Sequence, residues 1–320
     1  MGSPLVDVVV VSYNSRDRLR ACVEGLAALD WVRVVVVDNA SRDGSLDAVA
    51  GIDGVATLAM PRNGGFAYGC NAGWRAGSAP YVLFLNPDAV MDGDDLRRLV
   101  DVLEARPRAG AVGPRITHDD GSLDHSIRRF PALRSTFAQA LFLHRLFPRA
   151  GWTDEVVRDP ERYTFAGPVG WLSGACILCR RDVLVAIDGL DEGFFLYCED
   201  IDLCRRIRDA GREVLYEPAA HCRHAGGASH PRAELLPVLA ASRLRYARKH
   251  RGAASAGLER AGIALGEATH ALVGRGGLAE RAGHGRAMWV AVTGRGPARD
   301  GGPPPGGDRP GPDGASAGPR

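Results

Sequence analysis

Val6 to Val11 is almost entirely valine, Arg16 to Leu29 spaces Leu19, Cys22, Val23, Leu26 and Leu29 among charges, and Val34 to Val37 is valine again. The outer runs have the composition of parallel strands covered on both faces, and the middle one has the period of a helix. The pattern predicts a β-α-β unit opening an α/β domain. Ser45 is the expected N-cap of a second helix, Val55 to Leu58 a third strand and Tyr81 to Leu85 a fourth. Arg97 to Ala105 reads as an amphipathic helix, Ala111 to Gly113 as a short strand and Asp119-Asp120-Gly121 as a turn. Between Ile127 and Trp152 the spacing of Phe137, Leu141, Phe142 and Leu146 predicts a helix surrounded by Arg128, Arg129, Arg134, Arg145 and Arg149. Val169 to Cys179 reads as a strand, Asp182 to Ile187 as a short helix, Cys198 to Ala210 as a helix closed by Gly211, and Glu213 to Tyr216 as the last strand. Residues 231–293 are weakly amphipathic helix, and 294–320 are Gly/Pro-rich without apolar content, the composition of a disordered tail.

Several polar clusters fall where these strands end, and ligands of open parallel sheets sit beyond the carboxyl ends of strands. Ser12-Tyr13-Asn14 ends the first strand. Asp38-Asn39-Ala40-Ser41 ends the second, where a carboxylate can accept the imide N–H of a pyrimidine base; the plainer reading is a turn or helix cap. The fourth strand delivers Asn86-Pro87-Asp88, a turn or a carboxylate able to hold a divalent cation that bridges a diphosphate. Glu199 and Asp200 begin a helix after the aromatic run Phe194 to Tyr197, and either caps the helix dipole or serves as a general base. His224, beside glycines, is a further candidate for a metal or diphosphate contact.

Composition narrows the choice. The chain has 320 residues, 45% hydrophobic and 24% charged, with a formal charge of +2. Nothing in that balance points to nucleic acid. The charge is uneven: from His221 onward fifteen basic residues face seven acidic ones, giving +8 there and −6 before. A basic amphipathic segment and a basic end suit contact with anionic lipid, although a helix packed on its own sheet is the simpler reading of 127–152. No stretch reaches the roughly 18 apolar residues needed to span a bilayer. Seven scattered cysteines with no secretory signal fit buried thiols in a reducing cytoplasm; Cys176 and Cys179 lack the second pair a zinc site needs.

Taken in order, Val9 to Asn14, Val36 to Ser41 with Asp43-Gly44-Ser45, Asn63 to Ala67 with Asn71 to Gly73, Leu85 to Asp88, Gly189 to Glu192, Glu199 to Arg206 and His224 to Ser229 resemble the inverting glycosyltransferases of family 2, in particular their bacterial rhamnosyltransferase-like branch. The resemblance covers about residues 6–230 and implies a GT-A fold: a Rossmann-like α/β domain with a mixed, mainly parallel sheet flanked by helices. It implies a catalytic domain over 1–230, followed by the helical extension. The activity implied is transfer of a sugar from a dTDP- or UDP-sugar, best L-rhamnose, to a hydroxyl of a glycan or lipid-linked acceptor, at the inner face of the plasma membrane or in the cytoplasm. Asp200 then matches the catalytic base, with Glu199 in reserve, and Asp88 with His224 holds Mg²⁺ or Mn²⁺. Ser12, Tyr13, Asn14, Asp38, Asn39, Ser41, Asn63, Gly65, Phe66, Asn71, Asn86, Trp171 and Gly174 match the nucleotide-sugar site. Asn86 stands where a strict Asp-x-Asp motif has Asp, which predicts weaker metal dependence. A secondary-metabolite transferase or a non-catalytic sugar-nucleotide binder would share most of these motifs; a nucleotidyltransferase would need a triphosphate loop after the first strand that is missing here.

Overall fold

The computed structural model describes residues 3–148, 150–226, 231–274 and 276–297. Its first half runs β1 (Val6–Ser12), α1 (Arg16–Ala27), β2 (Val32–Asp38), β3 (Val55–Ala59), α2 (Phe66–Arg75), β4 (Tyr81–Leu85), β5 (Ala89–Val90), α3 (Gly93–Ala105) and β6 (Ala109–Thr117). There follow β7 (Ile127–Arg128), α4 (Leu133–Ala140), α5 (Leu143–Leu146), β8 (Gly167–Pro168), β9 (Trp171–Leu172), β10 (Cys176–Arg180), α6 (Arg181–Ala186), α7 (Glu199–Asp209) and β11 (Glu213–His224). Three helices close the described chain: α8 (Arg232–His250), α9 (Ala253–Val273) and α10 (Leu278–Thr293).

The main sheet has the order β3-β2-β1-β4-β10-β6-β11-β5, with β8 also on β11. β1, β2, β3, β4, β6 and β11 run in one direction, while β5, β8 and β10 oppose them. The sheet is therefore mixed and mainly parallel. Its valines divide by the two-residue period of a strand: Val6, Val8 and Val10 pack under α1 and α3, while Val9, Val11, Val35 and Val37 pack under α2 and α7. Asp7, fully buried, accepts from Arg33 at 2.8 Å, from the Ala79 amide at 2.9 Å and from Arg181 at 2.5 Å, so its charge is paired on three sides.

Several expectations need correction. Ser45 does not cap an α-helix; it is the first residue of a 3-10 turn, Ser45–Val49, after Gly44. The segment 127–152 is not one helix, because Pro131 interrupts it, Ile127 and Arg128 pair as a strand with β9, and left-handed Phe142 (φ 56°) separates α4 from α5. Arg128, Arg129, Arg134 and Arg145 consequently do not share one helix face. Val169 to Cys179 is not one strand, since Ser173 donates to the Ser126 carbonyl and the chain leaves the ladder there. The last strand reaches His224 rather than stopping at Tyr216. It slips register against β6 between Glu217 and His221, where Pro218 has no N–H to give.

α8 to α10 pack on one another through Leu236, Ala240, Leu244, Ile263, Ala287 and Val290. They are tied to the sheet domain by Arg243 on Glu155 (2.7 Å), Ser242 on the Leu196 carbonyl (2.8 Å) and Thr136 on Glu259 (2.6 Å). All seven cysteines are buried and free. Most of the expected tail, from 298 onward, lies outside the described residues, as do 227–230 of the glycine segment after His224.

Candidate functional site

The carboxyl ends of β1, β2, β4, β6 and β11 meet at one edge of the sheet, where Cys176, the first residue of antiparallel β10, pairs with Leu85. That edge carries the candidate residues. Ser12 pairs with Asp38 in the β1–β2 register. Both side chains are buried, and Ser12 Oγ and Asp38 Oδ1 have no hydrogen-bond partner among the described residues. Since unpaired buried polar atoms cost stability, two such atoms side by side make this a candidate place for a ligand. The other Asp38 oxygen accepts from the Ser41 amide at 3.1 Å.

Around this pair the loops are braced. Asn14 (φ 52°) and Ala40 (φ 64°) adopt left-handed backbone, as the two strand ends turn sharply. Asn14 donates its amide N–H to Ser41 Oγ at 2.9 Å and accepts from the Arg42 amide at 2.9 Å. Asn39 donates to the Gly65 carbonyl at 2.9 Å, and Asn63 accepts from the Gly65 amide at 3.0 Å. Gly65 is required there. With φ 93°, any Cβ would stand 2.1 Å from the Phe195 carbonyl oxygen, and the next amide, Phe66, donates to that oxygen at 2.8 Å. The glycine loop thus reaches from β2 to the segment preceding α7. Tyr13 is half-buried beside Ser12.

Asn71 requires a correction. Its amide group is fully spent within the protein, donating to the Leu190 carbonyl and Glu192 (both 2.8 Å) and accepting from Leu190 (2.9 Å) and Trp74 (3.0 Å). It staples α2 to the 189–192 loop and has nothing left for a nucleotide sugar. Trp171 is likewise buried, with its indole N–H on the Arg129 carbonyl at 2.8 Å.

Gly174 and Ala175, in the break between β9 and β10, join the other two centres. The Gly174 amide donates to Asp200 at 3.0 Å, and the Ala175 carbonyl accepts from the Asn86 amide at 2.9 Å. Asp200 also accepts from the Ile201 amide at 2.8 Å. Burial raises its pKa above the usual Asp value, and the two backbone donors only moderate that rise. Glu199 is more deeply buried, with one oxygen enclosed and unpartnered; burial, then the charge of Asp200, pushes its carboxyl up. Immediately before them Tyr197 (φ 69°) and Cys198 (φ 65°) are both left-handed, strain of the kind that collects at functional sites.

On the other side of Gly174-Ala175, His224 Nε2 lies 3.2 Å from Asp88 and 3.3 Å from the Asn86 amide nitrogen, and His224 Nδ1 is 3.7 Å from Asp124. Burial lowers the imidazole, but Asp124 and Asp88 together bring it up to about 9. Burial raises Asp88, but the hydrogen bond and charge of His224, with smaller contributions from its own backbone and Arg18, together bring its carboxyl below the usual value. Among the described residues no group of three or more His, Cys, Asp or Glu side chains could hold a metal ion. The donor set nevertheless fits a divalent cation that takes most of its ligands from a diphosphate and water: one carboxylate and one imidazole converge, and Mg²⁺ characteristically uses one or two carboxylates plus substrate phosphates. The imidazole would have to lose its proton to join.

Two residues of this site were not anticipated as ligands or charges there. Asp124 returns to His224 through the turn at His118 to Ser122, where the Asp124 amide donates to the Ile116 carbonyl. Arg128 lies over the Trp171 ring at 5.3 Å, with Nε enclosed and unpartnered, and its charge lowers the pKa of both Asp200 and Asp124. Its charge thus acts on both the base candidate and the carboxylate beside His224.

The chain is similar to several known proteins. The family described as Glycosyl transferase family 2 matches residues 7–185. The N-acetylglucosaminyl-diphospho-decaprenol L-rhamnosyltransferase of Mycobacterium tuberculosis is 34% identical over 238 residues, 69% of this chain and 76% of that protein. Rhamnosyltransferase WbbL of Escherichia coli is 31% identical over 234 residues, 69% of this chain and 83% of that protein. Among solved structures, the mannosyltransferase PcManGT from Pyrobaculum calidifontis, in complex with GDP-Man and Mn²⁺, superposes with a TM-score of 0.52 at 18% identity, covering 92% of this chain and 77% of its own. That likeness establishes the shared fold.

Proposed function

The chain belongs to glycosyl transferase family 2 and is a hexosyltransferase, and on that premise we propose that it transfers L-rhamnose, or another hexose, from a dTDP- or UDP-sugar to a hydroxyl of a lipid-linked saccharide, with inversion. The observation that carries this reading is the meeting, at one sheet edge, of the unpartnered Asp38 Oδ1 and Ser12 Oγ, the Asp88–His224 pair and the Asp200 carboxylate, the last two joined through Gly174 and Ala175. The lipid-linked acceptor is supported by the relative named for a diphospho-decaprenol substrate. A divalent cation is supported by the Mn²⁺ of the structural neighbour together with the donor set here.

Asp38 Oδ1 accepts the imide N–H of the pyrimidine, a group uracil and thymine share, and Ser12 supplies a neighbouring hydroxyl. Asp200 takes the proton of the acceptor hydroxyl as its oxygen attacks the anomeric carbon. The bond from that carbon to the diphosphate oxygen breaks on the opposite face, and the diphosphate leaves with the electron pair. Asp88 and His224 would hold a divalent cation, which would supply neutralisation of the charge that grows on the departing diphosphate. Arg128 adds a fixed positive charge on the same side as Asp124 and Asp200, where it also keeps Asp200 from being pushed still further toward its neutral form. Glu199, held up by burial, stays protonated over a wider range and so leaves Asp200 as the ionised member of the pair.

The test is release of nucleoside diphosphate from a panel of dTDP- and UDP-sugars, with and without Mg²⁺ or Mn²⁺. Metal-stimulated turnover of one pyrimidine donor supports the reading. Selective turnover of a purine-linked donor overturns the role of Asp38, and absence of both turnover and thermal stabilisation with every donor overturns the donor class.

A further inference from the structure

Away from the sheet edge, α5, α8, α9 and α10 surround a cavity of about 410 Å³. His144, Arg145, Arg232, His270, Arg281 and His284 line it, against Glu280. Arg232 is paired with Glu280 at 3.3 Å. Arg145 only covers the Phe142 ring, 4.3 Å from its centre, and Arg281 donates to the Gly274 carbonyl at 3.2 Å. Among the described residues neither of these two guanidinium groups has a carboxylate partner. His284 is engaged with Glu267 at 2.7 Å, whereas His144 Nδ1 is enclosed and unpartnered.

Next to these lining residues in the chain stand exposed apolar side chains. Leu146, Leu272 and Leu278 are 71, 76 and 87% exposed, and Phe147 and Val273 are more than half exposed beside them. These residues come from three separate segments and are chain neighbours of Arg145, Gly274 and Gly276, which line the cavity. Single exposed leucines are ordinary; several within two residues of the lining of one cavity that holds two arginines without carboxylate partners have the makings of an amphipathic face. No helix among the described residues is long and apolar enough to cross a membrane.

We propose that this face docks on an anionic phospholipid bilayer, with a lipid phosphate entering the cavity beside Arg145 and Arg281 and with Leu146, Phe147, Leu272 and Leu278 lying among the acyl chains at the interface. Unpaired cationic groups in the cavity suit the phosphate layer of that surface, and the exposed apolar residues next to them in the chain suit its acyl layer. The docking face stands on this geometry alone; its purpose, to present the catalytic edge to a lipid-linked acceptor, rests on the reaction proposed above.

Flotation of the full chain with phosphatidylglycerol-containing and pure phosphatidylcholine vesicles tests it, with donor hydrolysis measured in parallel without vesicles. The wild type is expected to float with the anionic vesicles only. Leu272→Glu combined with Leu278→Glu should abolish flotation, and Arg145→Gln and Arg281→Gln should each weaken it roughly fivefold, all with unchanged circular dichroism and donor hydrolysis. Flotation of these variants like the wild type would overturn the proposal, as would equal binding to neutral vesicles. Full competition by inorganic phosphate with normal binding of the leucine variants would assign the cavity to a free anion instead. Loss of donor hydrolysis in the wild type would count against the reaction and leave the docking result standing.

Discussion

Asp200→Asn separates catalysis from donor binding. The Asp200 carboxylate accepts two backbone N–H groups, from Gly174 at 3.0 Å and Ile201 at 2.8 Å, so a side chain of the same shape keeps its place while losing the ability to take a proton. Removing a general base costs about 10²–10⁴ in rate, or about 2.7–5.4 kcal/mol of barrier. The new NH₂ group must face one of the two backbone donors, which forfeits one hydrogen bond, about 1–3 kcal/mol of stability when buried. Loss of a buried negative charge partly offsets this, so the variant should fold and melt only a few degrees lower. Steady-state kinetics at saturating donor, with donor Kd from calorimetry, should show kcat reduced by that factor and Kd changed less than about threefold. The pH profile supplies a second readout. Asp200 must be ionised to act and burial raises its pKa, so the wild-type rate falls as pH drops through a value above that of ordinary Asp, and the variant lacks that limb. A kcat within tenfold of wild type, with Kd unchanged, would refute the assignment; a parallel collapse of donor affinity would make Asp200 a donor ligand instead.

Asp88→Ala should remove the stimulation of donor binding by Mg²⁺ or Mn²⁺, because His224 is then the sole protein ligand of the pair; donor titration with and without the cation checks this. Asp38→Ala should weaken binding of free UDP or dTDP about tenfold or more, the worth of a hydrogen bond to a charged group, with kcat at saturation little changed; equal affinity by calorimetry would remove Asp38 from the base site. Asp7→Ala strands Arg33 and Arg181 beside the sheet and should cost about 3–5 kcal/mol in urea unfolding while leaving donor Kd unchanged in the folded protein.

How much of this was legible depended on whether local pattern or distant contact decided each element. The valine strands were legible because a two-residue period inside a doubly covered sheet leaves few alternatives. Asp38, Asp88 and the Glu199-Asp200 pair could be singled out because strand ends and a helix start are local features. Asn71 looked identical to a ligand residue in sequence; only the return of residues 189–192, more than a hundred positions later, shows its amide to be occupied. Asp124 stands in irregular chain between β6 and β7 and Arg128 in the two-residue β7 itself, both too short for periodicity to speak, and nothing local distinguishes them from solvated charges. The continuous helix expected over 127–152 failed because Ile127 and Arg128 are claimed by β9 and Pro131 follows, a tertiary demand that outweighs helical spacing. In the same way Trp171 and Cys176 belong to different strands since the intervening Gly174 is needed beside Asp200.

The measurement that bears most directly on the central claim is the anomeric configuration of the glycosidic bond formed when wild type and Asp200→Asn are given dTDP-L-rhamnose, a divalent cation and a lipid-linked N-acetylglucosaminyl diphosphate, read by NMR of the product. The account predicts a product whose anomeric centre is opposite to that of the donor, formed by the wild type and reduced at least a hundredfold in the variant, the lower bound for loss of a general base. A product that keeps the donor's configuration, or one formed as fast without the Asp200 carboxylate, would contradict it.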